Sequence, residues 1–417
     1  MNIALMGAGD RGFTLARLVR RQAPWAPIVA VAEPRPEVRA KFAREFGLAP
    51  EACFQDWRAL MASNPDCQAA IIATLDKEHR GPAEAALAKG WHLLLEKPLA
   101  PNWEDCLAMA EAWRRSKSLL SVVHSLRYHK AFARAHAWIA EGRIGRLMSL
   151  DLMEQVGFWH YAHSFVRGNW AREEDATFIL LAKSCHDMDL IQWFANQPCV
   201  SASSYGTLSY FTAKNMPEGA PEYCHQGCPV AAECPFDARK LYGPGGHCRG
   251  WTQGSADVRG CSVDEAYEAF IKGREGRCVY RCKNDVADHQ GVLLRFADGL
   301  TATFTLTAFT VDCSRRLRLQ GSEGILELNE TDKGQRLLLR RFDGIQEELL
   351  LGAMEGSHGG GDGLLVGSWL EALRTGKSGV LRTGMEESLA SHQIVFAAEQ
   401  SRREGRMVEI KSPLAAL

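Results

Sequence analysis

The stretch "GAGDRG", Gly7 to Gly12, follows the apolar run "NIALM" and precedes a helical pattern. This is G-x-G-x-x-G between a strand and a helix. Its first glycine permits a tight turn, its second lets backbone approach a pyrophosphate, and its third allows close helix–strand packing. Phosphates would then rest on the helix N-terminus beside Asp10 and Arg11. A second apolar run, "IVAVAE", ends at Glu33, 21 residues after Gly12, where an acid meets the ribose 2′-hydroxyl of a dinucleotide. Glu33 would repel a 2′-phosphate, which favours NAD over NADP. Arg35, two residues on, is either a partner for such a phosphate or a solvated charge at a helix start.

A second chemistry is suggested by "CHQGCPVAAECP", Cys224 to Pro235. Three thiolates spaced C-x₃-C-x₅-C can converge on one ion, with Cys278 of "GRCVY" as the fourth ligand and Cys282, Cys248 and His247 in reserve. A Cys₄ set suits structural zinc, which brings no redox chemistry of its own. An iron–sulfur cluster and a coincidental clustering of thiols are the alternatives. The surrounding stretch has little apolar periodicity and is broken by Pro229, Pro235, Gly243, Pro244, Gly245 and Gly246. It buries too little to order itself and calls for a crosslink. A disulfide is not expected, because "MNIALMGAGD" is no export signal and the chain is expected in the cytoplasm. Elsewhere, Cys67 and Cys106 sit in apolar surroundings, as buried small hydrophobes do.

The elements that must position these groups can be read from periodicity. "PEVRAKFAREFG" is a helix closed by Gly47, "AAIIAT" a buried strand, "WHLLLEKP" another, and "NWEDCLAMAEAWRRS" a helix capped by Asn102. "LLSVVHS" is a further strand. Short apolar strands alternating with helices imply a parallel sheet covered on both faces, with ligand beyond the carboxyl ends of the strands. That edge collects Thr74, His79, Glu96, Lys97 and Ser125. At 417 residues the chain is long enough for two domains, and its net charge of −1 speaks against a nucleic-acid or membrane partner. No apolar run is long enough to span a membrane.

"LLLEKPLA" ends a strand at this edge, and "SLRYH" (125–129), "SCHDMDL" (184–190) and "HGGGD" (358–362) follow in order. With the glycine turn, these motifs resemble the Gfo/Idh/MocA family of sugar and cyclitol oxidoreductases over nearly the whole chain. Residues 211–285 are the exception, and resemble a subgroup with a cysteine-rich insert. The resemblance implies a Rossmann domain, residues 1–126, followed by an α+β domain, residues 127–417, with a large open, mostly antiparallel sheet. The residues agree: "GVLLRFADGLTATFTLTAF" reads as two strands around Ala297-Asp298-Gly299, with Ala302, Phe304, Leu306 and Ala308 facing one way and threonines the other. Such a sheet can take a second subunit on its polar face, so a homo-oligomer is expected.

The resemblance also implies roles. Lys97 of "EKP" lies against the reacting hydroxyl, and His186 occupies the catalytic position, where a neutral imidazole can accept the hydroxyl proton. The family often carries an aspartate four residues before this histidine; here Ala182 stands there. Lys183 either replaces that contact with a positive charge or pairs with Asp187 at i+4. Arg127 and Tyr128 are further pocket candidates, with His163, Arg167 and Trp170 of "AHSFVRGNW", their neighbours His160 and Tyr161, and His358. The implied activity is NAD-dependent oxidation at a hydroxyl of a sugar, cyclitol or derivative. Alternatives are a redox-neutral glycosidase, which oxidises at C3, eliminates the aglycone and re-reduces with bound NADH, and a non-catalytic sensor. Retention of both Lys97 and His186 argues against the sensor.

Overall fold

Six short apolar strands open the chain: β1 (Ile3–Met6), β2 (Ile28–Ala32), β3 (Cys53–Phe54), β4 (Ala69–Ile72), β5 (His92–Leu95) and β6 (Leu120–Val122). The computed structural model describes residues 1–254, 262–331, 334–352 and 357–411. β1, β4 and β6 are buried at every position, so they have no face to offer water and must be covered on both sides. They pair in parallel in the order β3-β2-β1-β4-β5-β6, and the reversal between β1 and β4 opens the crevice in which such sheets bind ligands. Local signals close the helices as expected. Gly47 ends one in the left-handed region (φ 68°), and Asn102 caps Trp103–Ser116 by accepting the Asp105 N–H at 2.8 Å.

The second sheet has nine strands: β7 (Leu147–Gln155), β8 (Cys199–Thr207), β9 (His289–Phe296), β10 (Thr301–Thr307), β11 (Ser314–Gly321), β12 (Gly324–Thr331), β13 (Gly334–Arg341), β14 (Gln346–Gly352) and β15 (Val408–Glu409). Their order is β14-β13-β12-β11-β7-β10-β9-β8-β15, antiparallel except for the β7–β10 pair. Along β10, Ala302, Phe304 and Leu306 are buried while Thr301, Thr303 and Thr305 face solvent, the alternation a one-sided sheet requires. Burying a side chain such as Phe304 contributes roughly 1.5–3 kcal/mol.

Two features depart from a simple division at residue 126. The helix Gly361–Thr375 returns to the first sheet, where Leu365, Val366 and Trp369 join Ile3, Leu5 and Phe13 in one core. The helix Met385–Glu404 spans both halves, with Met385 and Leu389 in the first and Ile394 and Ala398 in the second. The cysteine-rich insert fills the connection between the hairpin neighbours β8 and β9. Within it, Ser262 and Glu265 form a capping box that starts the helix Val263–Lys272, and Tyr223 bridges Arg277 antiparallel. Among the described residues no helix is long and apolar enough to cross a membrane.

Candidate active site

The glycine turn is shaped so closely that only glycine fits. Gly7 has φ +91°, and a Cβ there would lie 2.4 Å from the Ala73 carbonyl oxygen; a Cβ on Gly12 would lie 2.0 Å from that of Gly7. Gly9 starts the helix Asp10–Gln22 without a side-chain cap, which leaves the helix N-terminus facing the crevice. Glu33, 1% exposed, accepts the Ala8 N–H at 2.9 Å and the Arg35 Nε–H at 2.7 Å. Burial opposes its charge, yet the hydrogen bonds from Arg35 and Ala8 hold its carboxyl below the ordinary value. Arg35 is therefore paired with Glu33 while its side chain stays open to solvent, and its guanidinium stands 3.8 Å from where a Gly9 Cβ would be.

Several buried polar atoms at this edge have no hydrogen-bond partner: Thr74 Oγ1, His79 Nε2, Arg11 Nη2 and both ring nitrogens of His124 and of His186. Folded interiors leave few such atoms, and a cluster of them suits a polar ligand such as a dinucleotide. His79 is oriented by its Nδ1 contact with the Pro98 carbonyl at 2.7 Å. Arg11 is held between two acids, donating to Glu96 and to Asp362 at 2.6 Å each. Asp362 also accepts from Ser125 and meets His358 Nδ1 at 3.1 Å. Although burial opposes it, His358 and Arg11 keep the Asp362 carboxyl below the usual range. This network fixes His358 beside the strand edge.

Lys97, just past β5, donates from Nζ to the Ala182 carbonyl at 2.8 Å. The chain breaks at Lys183 and Ser184 between the helices Ile179–Ala182 and Cys185–Ala195. The break presents the Ala182 carbonyl to Lys97 and starts the second helix one residue before His186. The His186 ring is 3% exposed, with ring centroids 5.1 Å from His358 and 5.5 Å from His124. Burial first, then the positive charges of Lys97 and its neighbours, push its pKa well below the ordinary value. His186 is thus a neutral imidazole with both nitrogens open, beside an ammonium group.

A second group of side chains forms an aromatic wall. Trp159 stacks on His247 at 5.3 Å and 7°, and Trp251 contacts His160 at 5.1 Å and His163 at 4.9 Å. His247 and Trp251 come from the insert, in a stretch where periodicity pointed to nothing. Burial, with Lys183 and Lys97 among the further causes, pushes the His160 pKa well below its ordinary value.

Other expected pocket residues are occupied elsewhere. Lys183 pairs with Glu154 on β7 at 2.5 Å, not with Asp187, because the helix break turns it toward the sheet. Asp187 instead accepts from Arg315 at 2.7 Å, and Arg315 also reaches Glu154 at 2.8 Å, so two buried cations and two buried acids cancel. An uncompensated positive subsite at Lys183 is ruled out. Arg127 forms a buried fork with Asp189, at 2.7 and 2.8 Å. Tyr128 accepts the Arg382 N–H at 2.8 Å. Arg167 turns into the insert, donating to the carbonyls of Arg277 and Phe236 at 2.7 Å. His163 meets the Tyr242 hydroxyl at 2.8 Å, and Trp170 lies against Phe165 with 37% exposure. His124 went unremarked as a site residue, though its place beside Ser125 at a strand end was a usable signal.

Known proteins share this arrangement of domains. The model described as "Oxidoreductase family, NAD-binding Rossmann fold" matches residues 1–124, and "Oxidoreductase family, C-terminal alpha/beta domain" matches residues 137–410. YteT of Bacillus subtilis (strain 168), an oxidoreductase by name, is 25% identical over 402 residues, covering 91% of this chain and 90% of its own length. Levoglucosan dehydrogenase of Pseudarthrobacter phenanthrenivorans is 34% identical over 156 residues, 36% of this chain and 39% of that enzyme. The crystal structure of an oxidoreductase from Agrobacterium radiobacter, in complex with NAD+, L-tartaric acid and magnesium, superposes with a TM-score of 0.70. It covers 100% of this chain and 99% of its own at 17% identity, a likeness of fold.

Proposed function

The chain belongs to the Gfo/Idh/MocA oxidoreductase family, and we propose that it moves hydride between a hydroxyl-bearing carbon of a sugar, cyclitol or sugar derivative and NAD. The observation that carries this reading is the meeting of Lys97 and neutral His186 at the dinucleotide edge of the first sheet. The glycine turn and Glu33 fit the pyrophosphate and the adenosine ribose. When bound, NAD supplies the nicotinamide carbon that accepts hydride, and the remaining tasks fall to side chains.

Lys97 Nζ, steadied by the Ala182 carbonyl, has further protons to donate to the substrate oxygen and favours negative charge developing there. His186 accepts the hydroxyl proton as the C–H bond breaks. Positioned proton transfer of this kind is typically worth about 10²–10⁴-fold. The aromatic wall of Trp159, His160 and Trp251 suits the C–H face of a pyranose or cyclitol ring. Glu33 favours NAD, and a direct titration in which NADP bound as tightly would overturn that preference and make Arg35 a phosphate ligand. The solvent-facing side of the nine-stranded sheet fits a homo-oligomer, which light scattering of the purified protein would test.

The activity test is a panel of sugars, cyclitols and glycosides, levoglucosan among them, with NADH and released aglycone both measured. Stoichiometric NADH is expected. Aglycone release without net NADH would replace this reading with the redox-neutral glycosidase, and NAD binding without turnover of any compound would favour a sensor.

A further inference from the structure

The cysteines of the insert have no part in the hydride chemistry, yet the fold brings four of them together. Cys224, Cys228, Cys234 and Cys278 line one cavity of about 20 Å³. Two are set there by backbone pairing. Tyr223 and Arg277 form an antiparallel bridge, flanked by Cys224 N–H to Gly276 O and Cys278 N–H to Glu222 O, each at 2.9 Å. Residues on either side of a bridged pair project to its opposite face, so Cys224 and Cys278 point the same way. The other two arrive on the loop that precedes the helix Ala238–Tyr242. Cys248, whose Sγ–H donates to the Trp159 carbonyl, and Cys282, whose Sγ–H donates to that of Cys278, do not line the cavity. Cys261 lies outside the described residues.

Three further observations bear on what these thiols do. Cys224 is buried and Cys228, Cys234 and Cys278 are half-buried, so the insert withdraws all four thiols from open solvent. Arg167 also lines the cavity: it is 2% exposed, Nη2 lies 3.8 Å from Cys224 Sγ, and Nη1 has no hydrogen-bond partner. A buried guanidinium with an open donor needs negative charge nearby. Among the described residues no three Cys, His, Asp or Glu side chains stand in finished metal-holding geometry. The fold supplies their convergence on one cavity.

We infer that Cys224, Cys228, Cys234 and Cys278 bind one structural zinc ion, with Arg167 balancing its charge. Four thiols lose their protons on binding, and the resulting Zn(Cys)₄ group carries two negative charges, one of which Arg167 offsets. Four cysteines on one cavity form the all-thiolate set that a structural zinc ion takes. Arg167 ends the segment Ala162–Arg167, which continues from the aromatic wall, so the site ties the insert to the pocket.

The test is metal analysis of the full-length protein, purified with and without oxygen in metal-free buffer. About one zinc per chain is expected, and protein grown in cobalt should show thiolate-to-cobalt charge transfer and tetrahedral d–d bands. Cys228→Ser should cut bound zinc at least tenfold, whereas Cys248→Ser, in the same insert but outside the cavity, should leave it unchanged. Absence of zinc from the wild-type protein, iron with acid-labile sulfide in its place, or equal loss from Cys248→Ser would each overturn the proposal. If Cys228→Ser does not fold, the wild-type zinc content and the cobalt spectrum decide.

Discussion

Lys97 follows β5 of the first sheet, whereas His186 lies on the helix Cys185–Ala195, whose Cys185 and Met188 belong to the core of the second. Lys97→Ala and His186→Ala should each lower kcat by about 10²–10⁴-fold while leaving NAD affinity and the folded state intact. Turnover near wild type in either variant would remove it from the mechanism. The pH profile tests the environment of His186. Burial and neighbouring cations lower its pKa, so it remains unprotonated as pH falls through the ordinary value of 6.5. Oxidation measured as kcat/KM should therefore hold through pH 6.5 and decline only below it. A limb centred at or above 6.5 would contradict this. The position of both near the end of β5 was legible because they sit in motifs whose place on the fold is fixed. Arg127, Arg167 and Lys183 misled for one reason: a cation in a sequence does not announce its partner, and Asp189, Phe236 and Glu154 lie on other elements.

At the scale of elements, periodicity told which stretches form strands and helices but not where each docks. The helix Gly361–Thr375 is the clearest case, since an apolar stripe says that a face is buried and not against which sheet. Trp369, fully buried on that helix, belongs to the core of the first domain despite its place late in the chain. Trp369→Ala should cost about 3–5 kcal/mol, as large-to-small core changes do. Urea unfolding should show that loss, and NAD affinity should fall with it; a neutral variant would mean the docking is not structural. Proline, glycine and cysteine without periodicity marked the stretch around Cys224–Cys248, while the helix Val263–Lys272 farther along was not anticipated. If zinc holds it, chelation should raise hydrogen exchange across residues 211–285 and leave β1 and β4 protected. Uniform protection before and after chelation would show that the insert orders without metal.

Five histidines are held neutral by the fold, with His124, His186 and His392 buried and His160 and His163 half-buried. Burial drives His124, His160 and His186 well below their ordinary pKa, His163 to about 4 and His392 to about 3. Unfolded, each would titrate near 6.5, so below that pH the unfolded chain binds protons that the fold refuses. Stability must then fall as pH drops from about 6.5 toward the folded-state values, by about 1.4 kcal/mol per pH unit for each such histidine. Several acting together can exhaust an ordinary stability of about 5–15 kcal/mol within two pH units. Tm measured from pH 7.5 to 5 should be flat above 6.5 and drop steeply below; a constant Tm across that range would contradict the assignment.

The return of Gly361–Thr375 to the first sheet also bears on synthesis. A ribosome that has released residues 1–126 has made all six strands of the first sheet and every glycine of the turn. It has not made the helix that covers one face, nor Asp362, which holds Arg11. The Arg11–Asp362 pair at the dinucleotide edge is complete only once residues 361–375 have emerged. Until then the nascent half exposes Ile3, Leu5 and Phe13, so it is this early segment that chaperones would have to shield.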